Sequence, residues 1–111
     1  MDSTTILYRL MDVIRDRKTN PPPKSYTTSL FAGGTEKIGS KILEEAQEVV
    51  AAARESGPSG EAHLVHEAAD LVFHLLVMLG YRNIEWPAVE TELARRFGIS
   101  GIDEKESRGT S

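Results

Sequence analysis

Cysteine is absent from the chain. Its absence removes disulfides, thiolate nucleophiles and thiolate-ligated zinc or iron–sulfur sites together, and it suits a reducing cytoplasm, the compartment expected here. Basic charge is also short, with 13 Lys and Arg against 17 Asp and Glu for a net charge of −4. Nucleic acid is met with clustered cations, so it is not expected as a partner. Long hydrophobic runs are missing. The most apolar stretch, Leu71 to Leu79, is cut by His74 and reads as too short to span a bilayer, so no membrane partner is expected. Met1-Asp2-Ser3-Thr4 leads straight into an amphipathic pattern, without the basic segment and apolar core of a signal peptide. Neither an internal repeat nor the alternation of a strand is visible.

What remains is helical. The 111 residues, 40% hydrophobic and 27% charged, suffice for one domain and not for two. We assign residues 1–98 to a single all-α domain and 99–111, rich in Asp, Glu, Lys, Ser, Arg and Gly, to a flexible tail. Ser3 or Asp2 can cap a first helix with Ile6, Leu7, Leu10, Met11, Val13 and Ile14 at helical spacing, ending near Lys18 before Pro21-Pro22-Pro23. Thr35 can cap a second helix running to about Ser56, and Gly57-Pro58-Ser59-Gly60 breaks it. A third helix is expected from about Ser59 to Tyr81. A short fourth follows Pro87, with Val89, Leu93 and Phe97 inward and Gly98 as its stop.

The short connection makes the second and third helices an antiparallel hairpin. At about 100° per residue, Lys37, Lys41, Glu44, Glu45 and Glu48 fall within an arc of about 100° on the second helix. On the third, His63, Glu67, Asp70 and His74 share about 60° and form a polar stripe on an otherwise apolar helix. The two groups of acids lie at comparable distances from the turn, so they can face each other. Two carboxylates about 4 Å apart repel by about 4 kcal/mol at an effective dielectric near 20, so several together call for a cation. Oxygen ligands select a hard ion, and Mg²⁺ is usually held by few carboxylates together with water and substrate phosphates. The alternative for Glu44, Glu45 and Glu48 taken alone is a solvated helix face.

Residues 19–34 read as the longest irregular stretch, and a loop of that length is usually functional or disordered. Lys24, Ser25, Tyr26 and Thr27 with Gly33-Gly34 can wrap a phosphate; equally, Tyr26, Leu30 and Phe31 can anchor a packed linker. Arg95 and Arg96 in the last turn of the fourth helix compensate its dipole or clamp a phosphate. His63 and His66 read as solvated. His74, one turn beyond Asp70, reads as a core histidine supporting the site from behind rather than as a ligand.

A Glu-Glu-x-x-Glu helix paired with a Glu-x-x-Asp helix in an all-α chain of this size resembles the MazG-like nucleotide pyrophosphohydrolases. Ser25-Tyr26-Thr27, Leu30, Gly33, Lys37-Ile38, Lys41, Glu44-Glu45, Glu67, Ala69-Asp70-Leu71, His74-Leu75-Leu76-Val77 and Leu79 are more specific. They are similar to the phosphoribosyl-ATP pyrophosphatase family of histidine biosynthesis, with Phe73 where that family leads one to expect Tyr. The resemblance implies a MazG-like bundle of four to five helices whose four-helix core is completed by homodimerisation. It further implies a cytoplasmic Mg²⁺ enzyme, Mn²⁺ being able to substitute, that cleaves phosphoribosyl-ATP to phosphoribosyl-AMP and pyrophosphate. Release of pyrophosphate needs a divalent ion, a positioned water and a carboxylate to take its proton. Glu44, Glu45, Glu48 and Asp70 are then the metal-ligand candidates, and Glu67 shares ligation with orientation. Glu45 and Glu67 are the catalytic candidates, Glu45 the base. Lys41 and Lys37 would meet phosphate oxygens as point charges, joined by Ser25, Tyr26, Thr27, Arg95 and Arg96. Two other readings stay open at this point: a housekeeping nucleoside triphosphate pyrophosphohydrolase, and a non-enzymatic helical dimerisation module with solvated acids.

Overall fold

The computed structural model of the chain describes residues 5–98. They form four helices and no strand: α1 (Ile6–Thr19), α2 (Tyr26–Ala53), α3 (Gly57–Tyr81) and α4 (Trp86–Phe97). α1 starts at Ile6 with Thr5 in the cap position, later than a cap at Asp2 or Ser3 would set it, and the expected tail at 99–111 lies outside the described residues. α2 and α3 make the antiparallel hairpin, with α1 packed across both and α4 packed chiefly on α1.

The start of α2 departs from expectation. Residues 26–33 are helical, so the irregular stretch shrinks to the residues between Thr19 and Tyr26. Ser25 is the cap, its Oγ accepting from the Thr28 N–H at 3.2 Å. The stretch looked irregular because it is polar and contains Gly33-Gly34; the structure uses Gly34 as a kink inside the helix, at φ 68° and ψ −162°. That backbone region is essentially open to glycine alone. A side chain there would also meet the Tyr81 hydroxyl, which stands 3.1 Å from the position of a Cβ. The kink divides α2 into a short limb, 26–33, and a long rod from Thr35 onward that carries the acids.

The core comprises Met11 and Ile14 of α1, Leu30 and Ile38 of α2, and Leu76 and Val77 of α3, edged by Leu10, Phe31, Ile42, Phe73 and Tyr81. It therefore sits at the open end of the hairpin, away from the 54–56 turn. Burying each large aliphatic side chain contributes about 1.5–3 kcal/mol. Lys18 ties α1 to the end of α3, its Nζ donating to the carbonyls of Gly80 (3.2 Å) and Tyr81 (2.8 Å) and to Asn83 Oδ1 (2.9 Å). A cation is favourable at a helix C-terminus. Lys18, though in the last turn of α1, thus caps the end of α3.

Toward the turn the hairpin has no third layer among the described residues, and its apolar surface stands open. Leu43 is 68% exposed and Val65 64%, with Val50, Val72 and Leu75 also exposed. α3 is longer than its apolar run suggested: by length and composition it could cross a membrane, with mean hydropathy 1.4 over an 18-residue window. Glu67, Asp70 and the buried His74 on it are costly in a bilayer core. α4 has no buried residue, so Leu93 and Phe97, expected inward, are exposed in the single chain. Gly98, left-handed at φ 59°, ends it as expected.

Candidate active site and metal centre

The long rod of α2 and the first half of α3 bring their carboxylates together. Antiparallel packing sets Glu45 beside Glu67 and Asp70, with Glu44 within electrostatic reach. Ligand atoms of Glu48, His63 and Glu67 lie within 4.8 Å of one another, as do those of His66, Glu67 and Asp70. Glu67 is therefore common to both groups, and its side chain is only 13% exposed. Glu45, Glu48, Glu67 and Asp70 are thus brought together, and Glu44, next to Glu45 in the chain, lies at their exposed edge.

Glu45 is the acid under most strain. Its pKa is pushed from 4.5 up to about 7, first by burial, then by hydrogen bonding with Glu67 and by the charges of Asp70, Glu67 and Glu44. Its Oε1 is buried and has no hydrogen-bond partner among the described residues. A buried carboxylate oxygen left without a donor, among other acids, is the environment a cation relieves. The donor set is mostly carboxylate oxygen, which fits Mg²⁺ or Mn²⁺.

Cations stand at the edge of the cleft. Lys41 Nζ donates to Glu44 Oε1 at 3.2 Å. That bond raises the lysine pKa, with smaller contributions from the charges of Glu44, Tyr26 and Glu45. Lys37, one turn earlier on the same stripe, is exposed. His63, expected to be merely solvated, instead bridges two acids: Nδ1 lies 3.0 Å from Glu55 Oε2 and Nε2 3.2 Å from Glu67 Oε2. Two carboxylate acceptors favour the doubly protonated ring, and the hydrogen bond to Glu55 is the main cause of its raised pKa, opposed by partial burial. His66 Nε2 is 3.4 Å from Asp70 Oδ2. The signal for both was the four-residue spacing of His63 to Glu67 and His66 to Asp70, which places each pair on one helix face.

His74 behaves as expected in part. It is 5% exposed and touches none of the carboxylates, but its Nδ1–H donates to the backbone carbonyl of Asp70 at 2.9 Å. Its Nε2 is thereby an acceptor, and the Tyr26 hydroxyl donates to it at 2.8 Å. Ser25 is occupied as a helix cap and Thr27 lies in the first turn behind it. Arg95 and Arg96 are not brought to the cleft. Both pair with Glu92 at 2.7 Å on α4, a helix packed chiefly on α1.

Crowded carboxylates rimmed by lysine are equipped to hold a divalent ion against a polyphosphate. A family model described as phosphoribosyl-ATP pyrophosphohydrolase matches residues 7–97, so the acids, the rim and the core all fall within the match. The chain belongs to the phosphoribosyl-ATP pyrophosphohydrolase family. Curated relatives carry the name phosphoribosyl-ATP pyrophosphatase. The one from Rhodopirellula baltica is 48% identical over 96% of this chain and 89% of its own length. The one from Geotalea daltonii is 52% identical over 93% and 94%, and that from Dechloromonas aromatica 41% over 99% of both. Membership in a pyrophosphohydrolase family makes the protein an enzyme and sets aside a non-catalytic dimerisation module with solvated acids.

Proposed function

We infer that the chain hydrolyses phosphoribosyl-ATP to phosphoribosyl-AMP and pyrophosphate, the second step of histidine biosynthesis. The observation that carries this reading is the buried Oε1 of Glu45, without a partner among the described residues, beside Glu67 and Asp70, in a chain whose relatives bear that enzyme's name nearly end to end. Glu44, Glu45, Glu48, Glu67 and Asp70 would hold Mg²⁺, or Mn²⁺ in its place. The ion, when bound, neutralises polyphosphate charge and acidifies water.

The remaining work belongs to the side chains. Glu45, beside Glu67 and Asp70 and with one buried oxygen free of hydrogen bonds among the described residues, is placed to accept a proton from the attacking water. Glu67 shares hydrogen bonding with it and holds its orientation. Lys41, tethered to Glu44, meets a phosphate oxygen as a mobile point charge, with Lys37 one turn away. His63 offsets part of the acids' repulsion while the cleft is empty.

Two further features belong to the proposal. A homodimer would cover Leu43, Val50, Val65, Val72 and Leu75 by setting two hairpins face to face as a four-helix core. A cytoplasmic setting suits a chain without cysteine. The decisive assay measures pyrophosphate release from phosphoribosyl-ATP and from a panel of nucleoside triphosphates with Mg²⁺. Preference for phosphoribosyl-ATP is expected, lost in Glu45→Gln; equal or better turnover of ordinary triphosphates would overturn the assignment in favour of a housekeeping hydrolase.

A further inference from the structure

Tyr26 opens α2, and His74 lies buried midway along α3; the Gly34 kink lets the short limb of α2 swing in so that the two meet. His74 is the one buried polar side chain among the described residues. Both its ring nitrogens are used. Nδ1–H is committed to the Asp70 carbonyl, which can only accept, so Nε2 is left to accept from the Tyr26 hydroxyl. The same tyrosine ring stacks on Phe73 at 6.3 Å and 23° and meets the His74 edge at 5.9 Å. These separations lie within the favourable range for aromatic pairs.

The ring is fastened by its hydroxyl, one face and an edge, yet Tyr26 remains 49% exposed. Its hydroxyl is joined through His74 to the backbone of Asp70, one of the clustered acids, while Lys41, on the same helix α2, is bonded to Glu44. His74 stands one helical turn from Asp70. A half-exposed aromatic surface is therefore anchored one residue away from the acids proposed to hold the metal. Core packing does not call for a ring left half in water.

We propose that Tyr26 is the base platform of the active site, stacking against the purine of the nucleotide, and that His74 is the positioning residue that fixes it. The proposal rests on the pyrophosphohydrolase reading. It explains why a polar group is buried in the most apolar part of α3: the imidazole accepts the phenol where an apolar residue could not. Phe73 supports the ring from behind and does not meet the base.

Two probes separate the base from the phosphates: ATP, which has a purine, and inorganic tripolyphosphate, which has none, each titrated calorimetrically with Mg²⁺. Stacking on one aromatic ring supports a loss of about 10- to 100-fold in ATP affinity for Tyr26→Ala, with tripolyphosphate affinity unchanged. Tyr26→Phe keeps the ring and loses the bond to His74, so a loss of a few fold and a raised KM with kcat retained are expected. His74→Gln, which keeps an acceptor, should stay closer to wild type than His74→Phe, with helicity by circular dichroism retained in all four. The proposal is overturned if wild type binds both probes equally, if Tyr26→Ala weakens both equally, or if it weakens neither. Should phosphoribosyl-ATP fail to turn over while the two probes still separate, the substrate assignment falls and the base platform stands.

Discussion

Emptying and filling the acid cleft should change stability in a way that depends on pH, and Glu45 sets the size of the effect. Folding raises its pKa from 4.5 to about 7, so the fold favours the protonated form. A raised carboxylate leaves the metal-free fold undisturbed below the unfolded value and loses stability progressively as pH climbs through the folded one. Between pH 5 and pH 8 those two values give a loss of about 2.5 kcal/mol, a ceiling that water reaching the cleft lowers to about 1–2 kcal/mol. In a domain of this size each 1 kcal/mol moves the melting temperature by about 4–8 °C. His63 acts in the same direction: its pKa is raised chiefly by Glu55, so its contribution is present below the unfolded value and lost as pH passes the folded one.

A cation that binds only the folded, ionised cleft adds about 2.7 kcal/mol at 100 times its dissociation constant, and at pH 5 it must first displace the Glu45 proton. Mg²⁺ or Mn²⁺ should therefore raise the melting temperature more at pH 8 than at pH 5. Glu45→Gln should melt higher than the metal-free wild type at pH 8, flatten the pH dependence and lose most of the metal response. Glu48→Gln combined with Asp70→Asn should lose that response as well. Melting curves with and without metal at the two pH values are the assay. An equal metal shift at both pH values, or one that survives in the double variant, would refute the reasoning and move the ion elsewhere.

Glu44→Gln, Glu48→Gln and Asp70→Asn should each lower kcat by at least about 100-fold while circular dichroism stays helical, because the amide keeps the shape and loses the charge that binds the ion; three variants with wild-type rates at saturating Mg²⁺ would end the metal-site assignment. Gly34→Ala should cost about 1–3 kcal/mol in denaturant unfolding, from its φ of 68° and the nearby Tyr81 hydroxyl; an unchanged midpoint would mean the kink relaxes freely. Light scattering at micromolar concentration should give twice the chain mass, falling to the monomer in Leu43→Glu with Val72→Glu, whereas a wild-type monomer would leave the exposed face of the hairpin without its proposed partner.

The hairpin and its acids were legible because both depend on one regularity, the 100° step, together with the interruption signalled by Gly57-Pro58-Ser59-Gly60, although the turn itself lies at 54–56 and those four residues open α3 with proline in its first turn. What a helical wheel cannot supply is the relation between elements whose junction is not a turn. Gly33-Gly34 normally reads as an end, and only its packing against Tyr81 makes Gly34 a bend with helix on both sides. The spacing of Tyr26 to Leu30 was nonetheless a helical signal, as was that of His63 to Glu67 and His66 to Asp70. These were outweighed by local composition in the first case and by expected exposure in the other two. Val89, Leu93 and Phe97 expose a different limit. Their spacing correctly predicts an amphipathic helix, yet amphipathicity states that a face needs cover and not which molecule provides it. The same holds for Leu43, Val50 and Val65 on the hairpin. The acids escape this ambiguity in part: the 100° step and the hairpin bring Glu45, Glu67 and Asp70 together whatever covers the outer faces, so the clustering of the acids was readable where the packing around them was not.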